Sequence, residues 1–206
     1  MNLKKQKKLL IKGENMEETK VLWQRILSCF PNELRLFIHN RAFLAGGWAA
    51  SLAHNLPPKD YDIFFRTKKD SNTFLEKIGQ NYLKKSRWAI TIEKNGMKIN
   101  CVTPVTGSPD QVRESFDFFH THASYDPLRD VLHRHSAVWG KELLFNEFAR
   151  TPASSLNRVF KFLNRGYTID EKNSKLMVKL SLKYVEKHGA KTAYYSPGPL
   201  LNLEKL

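Results

Sequence analysis

A chain of 206 residues allows one domain, or one domain with a small helical appendage. Hydrophobic residues make up 41% and aromatics 12%, with 10 Gly and 9 Pro, which excludes wholesale disorder and the fibrous or low-complexity classes. Lys and Arg number 34 against 20 Asp and Glu, a formal charge of +14. That surplus points to a polyanionic partner, nucleic acid or a nucleotide first, with a solvated basic face as the plainer reading. No apolar run approaches the roughly 18 residues of a membrane span. Cys29 and Cys101 form neither a disulfide framework nor a paired-thiol zinc motif, so a reducing cytoplasm is expected.

Residues 1–14 read as a basic, flexible arm, because its Lys cluster offers no apolar face. Val21, Leu22, Ile26, Leu27 and Phe30 recur at helical spacing until Pro31, which predicts a helix from Asn15 to Phe30 with Asn15 as cap. A shorter helix follows through Leu34, Phe37 and Ile38. Ala42 to Ala45 reads as a strand ending in the Gly46-Gly47 turn, Trp48 to Leu56 as a helix broken by Pro57 and Pro58, and Tyr61 to Phe65 as a second strand. A helix capped by Asp70 or Ser71 is expected to carry Phe74, Leu75, Ile78, Tyr82 and Leu83 and to end near Ser86. Trp88 to Glu93 and Met97 to Thr103, joined through Asn95-Gly96, read as an antiparallel hairpin. Ser108-Pro109 opens a short helix, and Phe116 to Phe119 reads as a buried strand beside Tyr61–Phe65. Leu143 to Phe148 reads as strand or helix. Two helices, Ser154 to Arg165 and Lys172 to His188, flank Gly166, and a loop-like tail starts at Ala193. The expected organisation is an arm (1–14), a domain over 15–149, and a C-terminal helical subdomain with a tail (150–206). The expected fold class is α/β, a small mixed sheet flanked by helices.

Side chains at i and i+2 of a strand share a face, so Asp60 and Asp62 would aim two carboxylates at one point and attract hard cations such as Mg²⁺. Gly46 and Gly47, lacking Cβ atoms and opening a helix, would let a triphosphate approach the backbone. Each part alone is commonplace; the ordered combination, with twelve positions (48–59) between Gly47 and Asp60, is rarer.

On these residues the chain resembles the polymerase-beta nucleotidyltransferase superfamily, over roughly residues 40–120, and within it the small nucleotidyltransferases of bacteriophages and related mobile genomes. Supporting segments are Lys98 to Val102, Gly107 to Val112, Phe116-Asp117-Phe118-Phe119, and Leu156 to Phe162 with Arg165-Gly166-Tyr167. The resemblance implies transfer of a nucleoside monophosphate (NMP) from an NTP to an acceptor hydroxyl, expected on RNA, with release of pyrophosphate. It implies two Mg²⁺ ions, or Mn²⁺ in their place, held by Asp60, Asp62 and a third carboxylate. On the second hairpin strand, where CCA-adding relatives carry that carboxylate, this chain has Asn100. Asp117, between two Phe, is the preferred third ligand and proton acceptor over a structural Asp paired with Arg, with Glu93 in reserve. Arg158, Lys161 and Arg165 share a helix face that could meet phosphates, with Arg158 and Lys161 as the nucleotide-binding candidates. Ala49-Ala50-Ser51 stands where CCA-adding relatives have Val-Arg-Asp, which removes a basic phosphate contact and weakens the case for CCA addition.

Two alternatives stand beside this reading. His120-Thr121-His122 and His133-Arg134-His135 could serve a zinc hydrolase. A catalytically inactive nucleic-acid-binding module of the same fold is the other; it replaces the enzyme reading if Asp117 turns away into an Arg or Lys pair while Asn100 faces Asp60 and Asp62, because the third ligand is then missing. The interleaved Tyr82, Lys84, Lys85, Arg87 and Trp88 offer a single-stranded RNA contact or ordinary packing. The resemblance places the protein, phage-encoded, in the host cytoplasm.

Overall fold

The computed structural model describes residues 16–149 and 152–189; the N-terminal arm, Asn15 as a cap, and the tail from Ala193 lie outside the described residues. The chain runs α1 (Met16–Ser28), α2 (Asn32–Arg41), β1 (Ala42–Ala45), α3 (Trp48–Ala53), β2 (Tyr61–Phe65), α4 (Lys68–Ile78), β3 (Lys84–Lys85), β4 (Ala89–Lys94) and β5 (Met97–Thr106). It continues with α5 (Pro109–Glu114), β6 (Ala123–Asp126), β7 (Val131–Arg134), α6 (Pro152–Leu163) and α7 (Glu171–His188), with short 3-10 turns at Phe119–Thr121 and Ser136–Trp139. The seven strands form one sheet in the order β3-β4-β5-β2-β1-β6-β7. Only the central β2–β5 pair is parallel; its neighbours on both sides are antiparallel.

Strand alternation divides the sheet into two faces. Leu44, Ile63, Phe65, Cys101 and Tyr125 point into the large core built with α1, α2 and α4, where Trp23, Ile26, Phe30, Phe74 and Ile78 are buried. Burying each such side chain contributes roughly 1.5–3 kcal/mol. The opposite face carries Phe43, Ala45 and Phe64, covered by Val112 of α5 and by Phe116. Asp62 falls on this second face because it alternates with Ile63, and Ala45 and Asn100 flank it in register on β1 and β5.

Local chemistry sets the boundaries. Asn95 and Gly96 both take positive φ, 54° and 71°, which closes the β4–β5 hairpin in the turn that an Asn-Gly pair favours. Helix α4 starts earlier than expected because Thr67, not Asp70 or Ser71, is its cap: Thr67 Oγ1 accepts from the Asp70 amide at 3.1 Å, and Asp70 reciprocates from the third helical position. It ends at Gly79, φ 58°, so Tyr82 and Leu83 lie beyond it. Helix α3 stops at Ala53 rather than Leu56.

The strand expected over Phe116–Phe119 does not form. Phe118 makes a single bridge to Phe145, Phe119 begins a 3-10 turn, and the neighbours of β2 are β1 and β5. Packing explains it: Phe116 joins the Asp62 face beside Phe64, while Phe118 belongs to another cluster with Leu143, Phe145, Val159, Phe162, Tyr167 and Met177. Leu143 to Phe148, expected as strand or helix, supplies that cluster through isolated bridges of Glu142 and Phe145. Helices α6 and α7 therefore share their core with residues 118–149.

Phe118 is fully buried, with its ring against Phe145 and Phe162. Phe118→Ala is expected to cost about 3–5 kcal/mol in urea unfolding and to speed amide exchange in α6 more than in β4. Equal protection in both helices and strands of the variant would contradict the shared core.

Candidate active site

The site lies where β1 ends beside the start of its antiparallel neighbour β2. Gly46 follows β1 with φ 107°, a conformation that only glycine takes without strain, and its amide donates to the Ala123 carbonyl at 3.0 Å. A Cβ on Gly46 would stand 3.5 Å from Asp62 Oδ2, so the turn passes directly over that oxygen. Asp60 sits just before β2 and is half-buried, as is Asp62. Gly47 caps α3, but α3 has only six residues, so the helix contributes little dipole there and the turn backbone is the stronger feature.

Asp62 carries the clearest electrostatic signature. Burial first, then the like charge of Asp60, pushes its carboxyl up to about 6. Three groups oppose the shift: Asn100, whose Nδ2 donates to Asp62 Oδ1 at 3.0 Å, then Arg158 and Lys161. Asn100 is itself oriented by Thr91, whose hydroxyl donates to Asn100 Oδ1 at 3.0 Å. Thr91 was not singled out from the sequence, yet the Asn95–Gly96 turn fixes the hairpin register, and counting outward from it sets Thr91 opposite Asn100.

Asp117 is 5% exposed and forms an ion pair with Arg158, Nη1 to Oδ1 3.0 Å, in a geometry that gives neither carboxylate oxygen a hydrogen bond. Arg158 also acts electrostatically on Asp62, so α6 turns one basic face toward both acids. The Lys161 ammonium, on an exposed residue, is held below its ordinary range by desolvation and by Arg165 and Arg158, against the pull of Asp60 and Asp62. Glu93 is exposed and stands opposite Lys98. Among the described residues no group of three or more His, Cys, Asp or Glu side chains is placed to hold a metal. The expected convergence of Asp60, Asp62 and Asp117 is thus not what the fold builds: with no strand beside β2 to carry it, Asp117 is engaged by Arg158.

The histidines also part company. The His120 ring, 1% exposed, packs on Phe118, Phe162 and Tyr167, and burial lowers it to about 3. His122 turns to Phe116 and Phe119, with Nε2 3.1 Å from the Phe116 carbonyl, and burial lowers it to about 4. His135 stacks on Phe119 with its ring centroid 6.2 Å from that of His122, and among the described residues no set of three or more His, Cys, Asp or Glu side chains gathers there to form the zinc site weighed from the sequence. Lys84 and Lys85 form a two-residue exposed edge strand, and the Arg87 guanidinium lies 5.0 Å from the Trp88 ring centroid.

A mixed sheet with a Gly-Gly turn above an Asp-x-Asp strand defines the polymerase-beta nucleotidyltransferase fold, and solved structures agree. A CCA-adding enzyme in complex with ATP superposes with a TM-score of 0.57 at 13% identity, over 86% of this chain and 46% of that one. The Thermotoga maritima CCA-adding enzyme complexed with tRNA gives 0.50 at 13% identity, over 80% and 46%. The chain belongs to the Gabija anti-defense 2 family, whose model matches residues 17–141. It is 27% identical over 142 residues to Gabija anti-defense 2 of Bacillus phage SPbetaL7, covering 64% of this chain and 35% of that protein. The chain thus spans about a third of the phage relative's length and under half of the CCA-adding enzymes'.

The raised Asp62 value has a consequence for stability. A folded-state value above the unfolded one favours the protonated fold, so this contribution is fully present below pH 4 and lost as pH rises through about 6. Asp62→Asn is neutral, nearly isosteric and still able to accept from Asn100. It is expected to raise the melting temperature by about 2–4 °C at pH 7–8 and to leave it unchanged near pH 4, read from thermal melts across that range. A lower melting temperature at pH 8 would contradict the crowding of the two acids.

Proposed function

We propose that the chain is a nucleotidyltransferase module through which a phage counters the Gabija defence of its host. In this reading it binds an NTP with a divalent cation and transfers the NMP to an acceptor hydroxyl in the host cytoplasm. The observation that carries the reading is the Gly46 turn lying over the Asp62 carboxylate beside Asp60, an anionic pair that needs a cation and a backbone that leaves room for one.

Two carboxylates with no third fit one Mg²⁺ or Mn²⁺ ion, which takes its remaining ligands from water and phosphate oxygens; they do not fit a complete two-ion set. Asp60 and Asp62 would hold that ion, which when bound supplies charge stabilisation to the reacting phosphates. Gly46 and Gly47 keep side chains out of the triphosphate's path. Arg158 and Lys161 meet its anionic oxygens from α6, a task suited to groups that already offset the charge of Asp62. The acceptor oxygen attacks the α-phosphorus in line, the bond to the β-phosphate breaks, pyrophosphate leaves, and the hydroxyl proton passes to solvent water.

A second reading has its own support. Asn100 faces Asp62 and Asp117 is taken by Arg158, the condition set out above for a catalytically inactive nucleic-acid-binding module, so that reading replaces the enzyme unless transfer is observed. Incubation with each α-labelled NTP, Mg²⁺, and RNA and protein from Gabija-bearing cells separates the two. Transfer predicts labelled macromolecule, lost roughly a thousandfold in Asp60→Asn and Asp62→Asn, the equivalent of about 4 kcal/mol. Because a proton competes with the cation on Asp62, labelling should rise with pH through about 6. Salt-dependent nucleic-acid binding without labelling would establish the second reading, and absence of both NTP binding and nucleic-acid binding would end both.

The acceptor class is tested through salt. With a formal charge of +14, an RNA acceptor should bind with an affinity that falls linearly in log–log titration between 50 and 200 mM salt (about 10³-fold for six phosphate contacts). Labelling confined to protein, with no salt-dependent RNA binding, would move the acceptor to a protein hydroxyl.

A further inference from the structure

We infer that Asn100 closes one side of the carboxylate site, so that the protein itself holds a single divalent cation, at Asp60 and the Oδ2 side of Asp62. This rests on the reading of the site as a cation-dependent nucleotide site. Asn100 lies level with Asp62 on the parallel strand β5, on the same sheet face, so a carboxylate in its place would stand beside that of Asp62. Its amide has only one workable orientation. The Thr91 hydroxyl donates to Oδ1 at 3.0 Å, which leaves Nδ2 to donate to Asp62 Oδ1 at 3.0 Å; turning the amide over would set two acceptor oxygens against each other.

An amide N–H in that position excludes a cation in two ways. It occupies a lone pair of Asp62 Oδ1, and it presents the positive end of its own dipole to any ion approaching from β5. The other oxygen, Oδ2, faces the Gly46 turn, 3.5 Å from where a Cβ would stand. Asp117 offers no substitute ligand, since Arg158 neutralises it. The relay from Thr91 through Asn100 thus makes Asn100 a positioning residue: it holds Asp62 in one rotamer with one oxygen committed and one open.

Counting bound Mn²⁺ by electron paramagnetic resonance on the whole protein, saturated with a non-hydrolysable NTP analogue and cleared of free metal, tests this. Wild type should hold one Mn²⁺ per chain with the spectrum of an isolated ion. Asn100→Asp should hold two, with the exchange-coupled spectrum of ions about 3.5–4 Å apart. Asn100→Ala, which removes the donor and its dipole and frees Oδ1, should admit a second Mn²⁺, held more weakly than in Asn100→Asp, and a count that stays at one would overturn the excluding role of the amide. Two coupled ions in wild type, or one in a cooperatively melting Asn100→Asp, would overturn the inference while leaving the nucleotide reading intact. If Asn100→Asp fails to fold, the wild-type count and that of Asn100→Ala still decide. No bound Mn²⁺ in wild type would overturn the nucleotide reading and this inference together.

Discussion

A carboxylate on a central strand of a seven-stranded sheet is the constraint around which this molecule is arranged. Asp62 is flanked by β1 and β5, alternates with a core residue, and has a second acid two positions away. Left to itself such a group would be an error of burial, because desolvation and like charge both oppose its ionisation. Each neighbouring departure from ordinary packing answers it. Gly46 gives up its side chain, Asn100 spends its amide on Oδ1, and α6 turns a cationic face inward.

The same constraint explains why the two sheet faces differ. The Ile63 face is sealed by three helices and a large apolar cluster, whereas the Asp62 face is covered only in part, by α5 and Phe116. Full coverage would bury Asp62 beyond rescue, and none would expose Phe43 and Phe64. One short capped helix and the bend after it manage the compromise. The Ser108–Gln111 capping box fixes α5 over β1 and β6, and the bend after it sends Phe116 to one cluster and Phe118 to another.

Much of this was legible in the sequence wherever local chemistry decides structure. The run Ala42–Ala45, the Gly-Gly turn and Tyr61–Phe65 fall where their residue types place them, and Asn95-Gly96 sets the hairpin and hence the Thr91–Asn100 pairing. What was not legible is what distant partners decide. Phe116-Asp117-Phe118-Phe119 has the composition of a strand, but its aromatic rings are wanted by two separate cores, so the backbone bends instead. Strands β6 and β7 escaped because Ala123–Asp126 and Val131–Arg134 are short and rich in polar residues, and only the edge offered by β1 makes them strands. The Asp117–Arg158 ion pair joins residues forty-one positions apart, which no spacing rule reaches.

The family match covers residues 17–141, which holds Asp60, Asp62, Asn100 and Asp117 but stops short of Arg158 and Lys161. The acidic half of the site therefore lies inside the matched span and the basic half on a helix beyond it. Physically the halves are complementary. Asp62 is held above its ordinary value and Lys161 below its own, each for want of water, and neither fully satisfies the other. An anionic ligand carrying its own cation would relieve both at once, the cation serving the acids and the phosphates serving α6. A plain anion would relieve only the basic half and add repulsion at the other. A plain cation would do the reverse. On the proposed reading, this is the physical reason for a metal-bound triphosphate as the ligand of this cleft.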